Sequence, residues 1–293
     1  MGKASRRKKI DPNKPRATYR APIPFKERPF EGLAREGELV AMREIIPCAT
    51  LKAKTNTEHG GLDFHFVTLV PDGHQAMVRE DGHILVGLQT RFHTGDLSHD
   101  CAAGLLKAID MVNQDETGIV NVDVRDAAPR LQDLLDPDGF GDIEVVEDFE
   151  YWIDPTKERT EDMDRALAQN RDDVVPTAKV PGVHGMFWCS MNRNFVRWVT
   201  DVEESALFTA LARLQAAGQA TMGPDSRFVG AFRACGIAIP VFELAEGATE
   251  LDIAGDAAVL EQRLQEALTV TEPLSDAERR ARQGLISRQV TVR

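Results

Sequence analysis

The sequence has little of what usually announces a function. Four cysteines stand far apart, at Cys48, Cys101, Cys189 and Cys235, with no C-x-x-C pair. That spacing excludes a zinc-ribbon or thioredoxin-type motif and fits buried, reduced thiols. No G-x-x-x-x-G-K-[ST] run occurs, so there is no P-loop. No G-x-S-x-G elbow occurs, and no G-x-G-x-x-G opens a helix after a strand. These gaps remove the usual grounds for proposing nucleotide, acyl-transfer or dinucleotide chemistry. No run of about 18 apolar residues is present, so no membrane-crossing helix is expected. No apolar segment follows the basic N-terminus, so a secretory signal is not expected either. The reading leans away from an enzyme and toward a cytoplasmic protein with no cofactor.

What is present is a charge asymmetry. The 293 residues carry a formal charge of −12. Residues 1–20 hold eight cations against one acid, Asp11, a net of +7, which leaves −19 for the rest. A basic arm on an acidic body is a pattern of nucleic-acid contact, and the body would repel a polyanion. Lys3, Arg6, Arg7, Lys8 and Lys9 are therefore the candidate phosphate contacts. Pro12, Pro15, Pro22, Pro24 and Pro29 forbid a continuous helix, so residues 1–30 read as a flexible arm. The end of the chain, from Ser275, is a second basic patch with five arginines and two acids.

Between these ends the periodicity predicts an α+β protein of two lobes, each a mainly antiparallel sheet with flanking helices. The first lobe spans 31–153. It should hold a helix over 37–46, an antiparallel meander over 64–70, 75–79 and 84–89, and a helix capped by Ser98 and running through Val112. A strand at 118–124, a helix at 127–135 and a strand at 143–153 follow. A charged linker covers 154–181, with helical character over 160–169. The second lobe spans 182–293. Runs at 187–191 and 195–199 flank Asn192-Arg193-Asn194 as a three-residue hairpin loop, in which Asn tolerates left-handed backbone. A helix ending at Gly218 comes next. Residues 228–234 are ambiguous, and 237–244 read as a strand whose Pro240 points to a sheet edge. Helices over 256–268 and from Ser275, with Ser275 and Glu278 as a capping box, complete the lobe.

Three local constellations deserve weighing. Six of the seven histidines lie between His59 and His99. A metal site there would draw on Asp63, His65, His74 and His83, but no H-E-x-x-H or H-x-H pairing exists, and solvated turn histidines are the simpler account. Asp136–Glu147 nearly matches a calcium loop, yet Phe140 stands where an oxygen ligand is required, so an Asp/Gly-rich turn fits better. Arg193 and Arg197 beside Trp188 and Trp198 could form a base-stacking platform, unless a regular strand sends them to opposite faces.

Four stretches together resemble a known family: MGKASRRKK at the start, RPFEGL with ELVAMREIIPCAT over 28–50, FVGAFRACGIAIPVFEL, and ERRARQGLISRQVTVR at the end. They are similar to an actinobacterial family defined only as a domain of unknown function. The resemblance implies a cytoplasmic bacterial protein and transfers no site. The leading expectation is an accessory protein that contacts RNA, or the ribosome, through its arm. The alternatives are a metal-dependent hydrolase built on the His59–His99 cluster and a protein–protein adaptor.

Overall fold

The computed structural model describes residues 21–287, apart from 162, 163, 166 and 169–173, together with the backbone of Val290 and Thr291. The protein is α+β, with two mainly antiparallel sheets of six strands each.

Sheet 1 runs in the order β5-β3-β4-β2-β1-β6. Its strands are β1 (Ala49–Lys54), β2 (Asp63–Val67), β3 (Ala76–Val78), β4 (Ile84–Gly87), β5 (Gly118–Ile119) and β6 (Ile143–Val145). Alternation decides its faces. Leu51, Ala53, Phe64, Phe66, Val78 and Val86 point inward and are buried against α1 (Glu36–Glu44), α2 (Leu97–Asn113) and α3 (Leu131–Leu134). Thr50, Lys52, Asp63 and His65 alternate with them and point the other way. On that outer face Val67, Val70 and Leu85 are covered by Tyr151 and Trp152.

The expected meander is corrected here. Strand β2 pairs with β4 in parallel, and β3 lies outside β4. The three-residue helical turn Pro71–Gly73, with Asp72 at φ +58°, redirects the chain so that β3 skips the position beside β2. The strand expected at 118–124 pairs only at Gly118 and Ile119. The helix expected over 127–135 is one turn, since 126–130 are pinned in non-helical backbone by side-chain bonds described below. The strand expected through 153 stops at Val145 and becomes a helical turn at Glu150–Trp152.

Sheet 2 runs in the order β12-β10-β11-β9-β8-β7. Its strands are β7 (Thr177–Lys179), β8 (Met186–Ser190), β9 (Asn194–Trp198), β10 (Arg227–Ala234), β11 (Ile237–Glu243) and β12 (Val290–Thr291). One face, with Met186, Val196, Trp198 and Phe242, packs against α4 (Glu204–Ala216), α5 (Ala254–Leu268) and α6 (Asp276–Ser287). The ambiguity at 228–234 resolves as strand. Pro240 is not on a sheet edge: β11 lies between β9 and β10, and Pro240 pairs with Ala231. The ladder to β9 begins only at Val241, so the proline sits where that ladder has stopped. The β8–β9 loop is Met191-Asn192-Arg193, closed by Ser190 opposite Asn194, one residue earlier than expected.

The other face of sheet 2 is shared with sheet 1. Phe187, Val199, Ala234, Ile237 and Ile239 join Phe30, Leu39, Met42 and Ile46 in a single buried cluster. Helix α1 is the element between the two sheets. Arg197 donates to the Ile45 carbonyl at 3.3 Å, close to the C-terminal end of α1. The second, smaller cluster of Cys48, Phe149 and Leu167 lies beneath the segment after β6, where the Phe149 and Trp152 rings stack at 4.5 Å.

Candidate functional site

The chain enters the described structure at Ala21, and Ala21–Ile23 form one wall of a cleft of about 1000 Å³. The other walls come from the loops at one end of sheet 1. They are His74 and Gln75 before β3, Phe92–Thr94 after β4, and Asn121–Arg125 after β5. Gln75 fixes the cleft's floor. Its side chain is buried and donates to the Phe92 carbonyl at 2.8 Å. With its carbonyl held, the Phe92 ring is turned outward and is 71% exposed. Phe25, 74% exposed, packs its ring edge against Gly95, where φ is +108°. Each exposed ring leaves apolar area in water, which forfeits about 25 cal/mol per Å².

Arg125 lines the cleft, and Arg91 precedes Phe92 in the chain. Arg125 forms a two-point ion pair with Asp123 at 2.7 Å, and Arg91 lies 4.0 Å from Asp72. Behind the rim a buried network holds the wall in place. Asp96 caps α2, accepting from the His99 backbone, and takes an ion pair from Arg130 at 2.9 Å. Asp100 accepts from the backbone and hydroxyl of Thr94, both at 2.7 Å. His99 bonds Asp100 with one ring nitrogen, and its other nitrogen faces the Ala128 amide at 3.2 Å. This network is why 126–130 are not helical. It also replaces Ser98 as the expected cap. The Ser98 hydroxyl instead receives the Leu131 amide and donates to Gln132.

The histidines do not form one cluster. His59 closes a helical turn on Asn56, His99 is buried in the network, and His74 and His93 line the cleft. His65 and His83 meet at the opposite end of sheet 1, with Nδ1 of one 2.7 Å from Nε2 of the other. One ring must donate and the other accept, so the two rings cannot both be protonated while this bond is kept. Burial, each other's charge and the nearby Lys52 and Arg79 push His65 down to about 4. Burial also lowers His83. Asp63 is drawn off by Lys52 at 3.4 Å, and Asp81 is spent on Arg79. Acidic residues Glu144, Glu147, Asp148 and Glu150 ring the same recess of about 480 Å³. Among the described residues no three His, Cys, Asp or Glu side chains are placed to hold a metal ion.

The other constellations separate as well. Asp136–Asp142 is a loop leading into β6, not a calcium loop flanked by helices. Gly141 donates to the Lys52 carbonyl, and a Cβ at Gly139 would stand 2.6 Å from Lys54 Cβ, so the loop is clamped on β1. The tryptophan platform does not exist. Trp198 is buried in the helix-facing core and Trp188 donates to the Ala248 carbonyl, while Arg197, paired with Phe187, lies on the opposite face. Lys3, Arg6, Arg7, Lys8 and Lys9 lie outside the described residues. Sequence reading missed Phe92, Phe25 and Arg91. An isolated phenylalanine between turn residues was the one signal, and it does not distinguish an exposed ring from a buried one.

All four thiols are poor nucleophiles. Burial pushes Cys48 and Cys235 up to about 12, and raises Cys101 and Cys189. No helix among the described residues is long and apolar enough to cross a membrane. The family model DUF5926, described as a family of unknown function, matches residues 29–293. The chain belongs to this family. No curated protein and no solved structure matches it. The DUF5926 match begins at Pro29, so it covers the whole of both sheets and leaves the basic arm and the Ala21–Ile23 wall of the cleft outside.

Proposed function

We propose that this DUF5926 protein is a cytoplasmic, non-enzymatic accessory protein that contacts RNA, alone or on the ribosome. Its arm supplies Lys3, Arg6, Arg7, Lys8 and Lys9 as phosphate contacts that read no sequence. The observation that carries the reading is the junction. The arm, with its net charge of +7, leads into Ala21–Ile23, one wall of a cleft that also holds the exposed Phe92 and Arg125, with the exposed Phe25 just along the chain. Phosphates would follow the arm while unpaired bases stack on Phe92 and Phe25, a division common to single-strand binders.

Ultraviolet cross-linking of the full chain to a single-stranded RNA, followed by peptide mapping, tests this. Cross-links are expected in residues 1–20 and at Phe25 or Phe92. Cross-links absent from both regions would overturn the reading.

A further inference from the structure

The face of sheet 2 that meets α1 is only half covered. Phe187, Val199, Ile237 and Ile239 are buried beneath α1, while the far half of the same face lies beyond that cluster and presents the exposed side chains of Met191, Arg193 and Arg227. Cross-strand pairing puts Arg227, Glu243, Phe195 and Cys189 in one row across β10, β11, β9 and β8. The next row holds Val241, Arg197 and Phe187, continuing to Lys179 on β7. Arg193, in the β8–β9 loop, reaches over the first row to Glu243. On β7–β11 the register therefore gives this face four cations, Lys179, Arg193, Arg197 and Arg227, and one carboxylate, Glu243. The strands of this face are thus richer in cations than the acidic body as a whole, although Glu144, Glu147 and Glu250 line one recess with Lys179.

The geometry around Glu243 points to a purpose. Its side chain is nearly buried, while those of Arg193 and Arg227 are 63% and 67% exposed. One guanidinium could satisfy both carboxylate oxygens through two parallel donors. Here each oxygen takes a different arginine, Arg193 on Oε1 and Arg227 on Oε2 at 2.6 Å. Both guanidiniums are thus anchored at one end and keep their remaining donors for solvent. Phe195 lies half-buried in the same row, on the strand next to Glu243, and Met191, 51% exposed, accepts from Arg197. Two anchored arginines beside an aromatic ring suit a single strand, with phosphates on the cations and a base on the ring.

We infer that this open half of sheet 2 is a second contact surface for single-stranded RNA, with Arg193 and Arg227 on phosphates, Phe195 beneath a base and Glu243 as the positioning residue. The inference rests on the RNA reading above but uses none of the arm. It is tested on the full chain by fluorescence anisotropy with a single-stranded RNA oligonucleotide over a salt series. Replacing both arginines (R193Q/R227Q) should weaken binding and flatten the slope of log affinity against log salt by about 1.4, from about 0.7 per phosphate. Phe195→Leu keeps the apolar packing and should lower affinity without changing that slope. An unchanged melting temperature in both variants shows that the fold is intact. If R193Q/R227Q binds as the parent does, with the same slope, the inference is overturned. The arm set K3Q/R6Q/R7Q/K8Q/K9Q separates the two readings. Loss with the arm set but not with R193Q/R227Q leaves the arm reading standing and removes this one. The reverse result keeps the sheet surface and removes the arm. A parent chain that binds no RNA removes both.

Discussion

Lowering the pH should destabilise the protein through the His65–His83 pair before its carboxylates titrate. The two imidazoles share a 2.7 Å hydrogen bond between half-buried rings, with Lys52 and Arg79 nearby. The folded His65 binds a proton only near pH 4, against 6.5 for the ordinary group. Between those values the unfolded chain binds more protons than the folded one, so stability rises with pH and is lost as pH falls below about 6.5. Going from pH 7 to pH 5, full linkage on His65 would cost on the order of 2 kcal/mol. The rings are partly solvated, so screening reduces this to about 1 kcal/mol. For a chain of this size that is a drop of about 2 °C in Tm. The comparison that isolates the pair is H65N/H83Q, which removes both titrating rings. Thermal melts from pH 7 to pH 5 should show the parent losing about 2 °C more than the variant. Nuclear magnetic resonance should place the His65 titration below pH 5. Parallel melting curves for parent and variant, with His65 titrating near 6.5, would refute the reasoning.

Two further outcomes follow from the packing. Gly185 has φ +71°, and a Cβ there would lie 2.0 Å from the Val199 carbonyl oxygen, which is backbone and cannot swing away. Gly185→Ala should therefore cost more than about 2 kcal/mol, combining left-handed strain with displacement of the β8–β9 pair, and chemical denaturation would read it. The thiols should resist alkylation. With Cys48 and Cys235 held near 12 by burial, iodoacetamide at pH 8 should leave the native protein largely unlabelled and modify all four cysteines only after unfolding.

The local elements were largely legible and their assembly was not. Helices α2, α4 and α5 carry apolar residues at helical spacing, and each appeared close to its expected place. Glu203 caps α4 through the Ser205 and Ala206 amides. The Ser275–Glu278 capping box also formed, with each side chain bonding the other's backbone. The strand order of sheet 1 was hidden because parallel pairing of β2 with β4 depends on one left-handed residue, Asp72. The short fate of 127–135 was hidden because buried partners far along the chain, Asp96, Ser98 and His99, claim its backbone and side chains. The histidine cluster was a cluster in sequence alone. Strand and turn geometry sent its members to separate places, and only His65 with His83 came into contact. The exposure of Phe92 could not be read, since the sequence around it does not separate an exposed ring from a buried one.

The measurement that tests the account most directly is RNA affinity across a salt series, for the full chain and for a chain lacking residues 1–20. The account predicts that the full chain binds single-stranded RNA and that log affinity falls steeply with log salt. Removing the arm should weaken binding and reduce that slope by about 0.7 for each phosphate the arm holds, or roughly 3.5 if all five named cations are engaged. Equal affinity and equal slope for the two chains, or no binding by either, would contradict it.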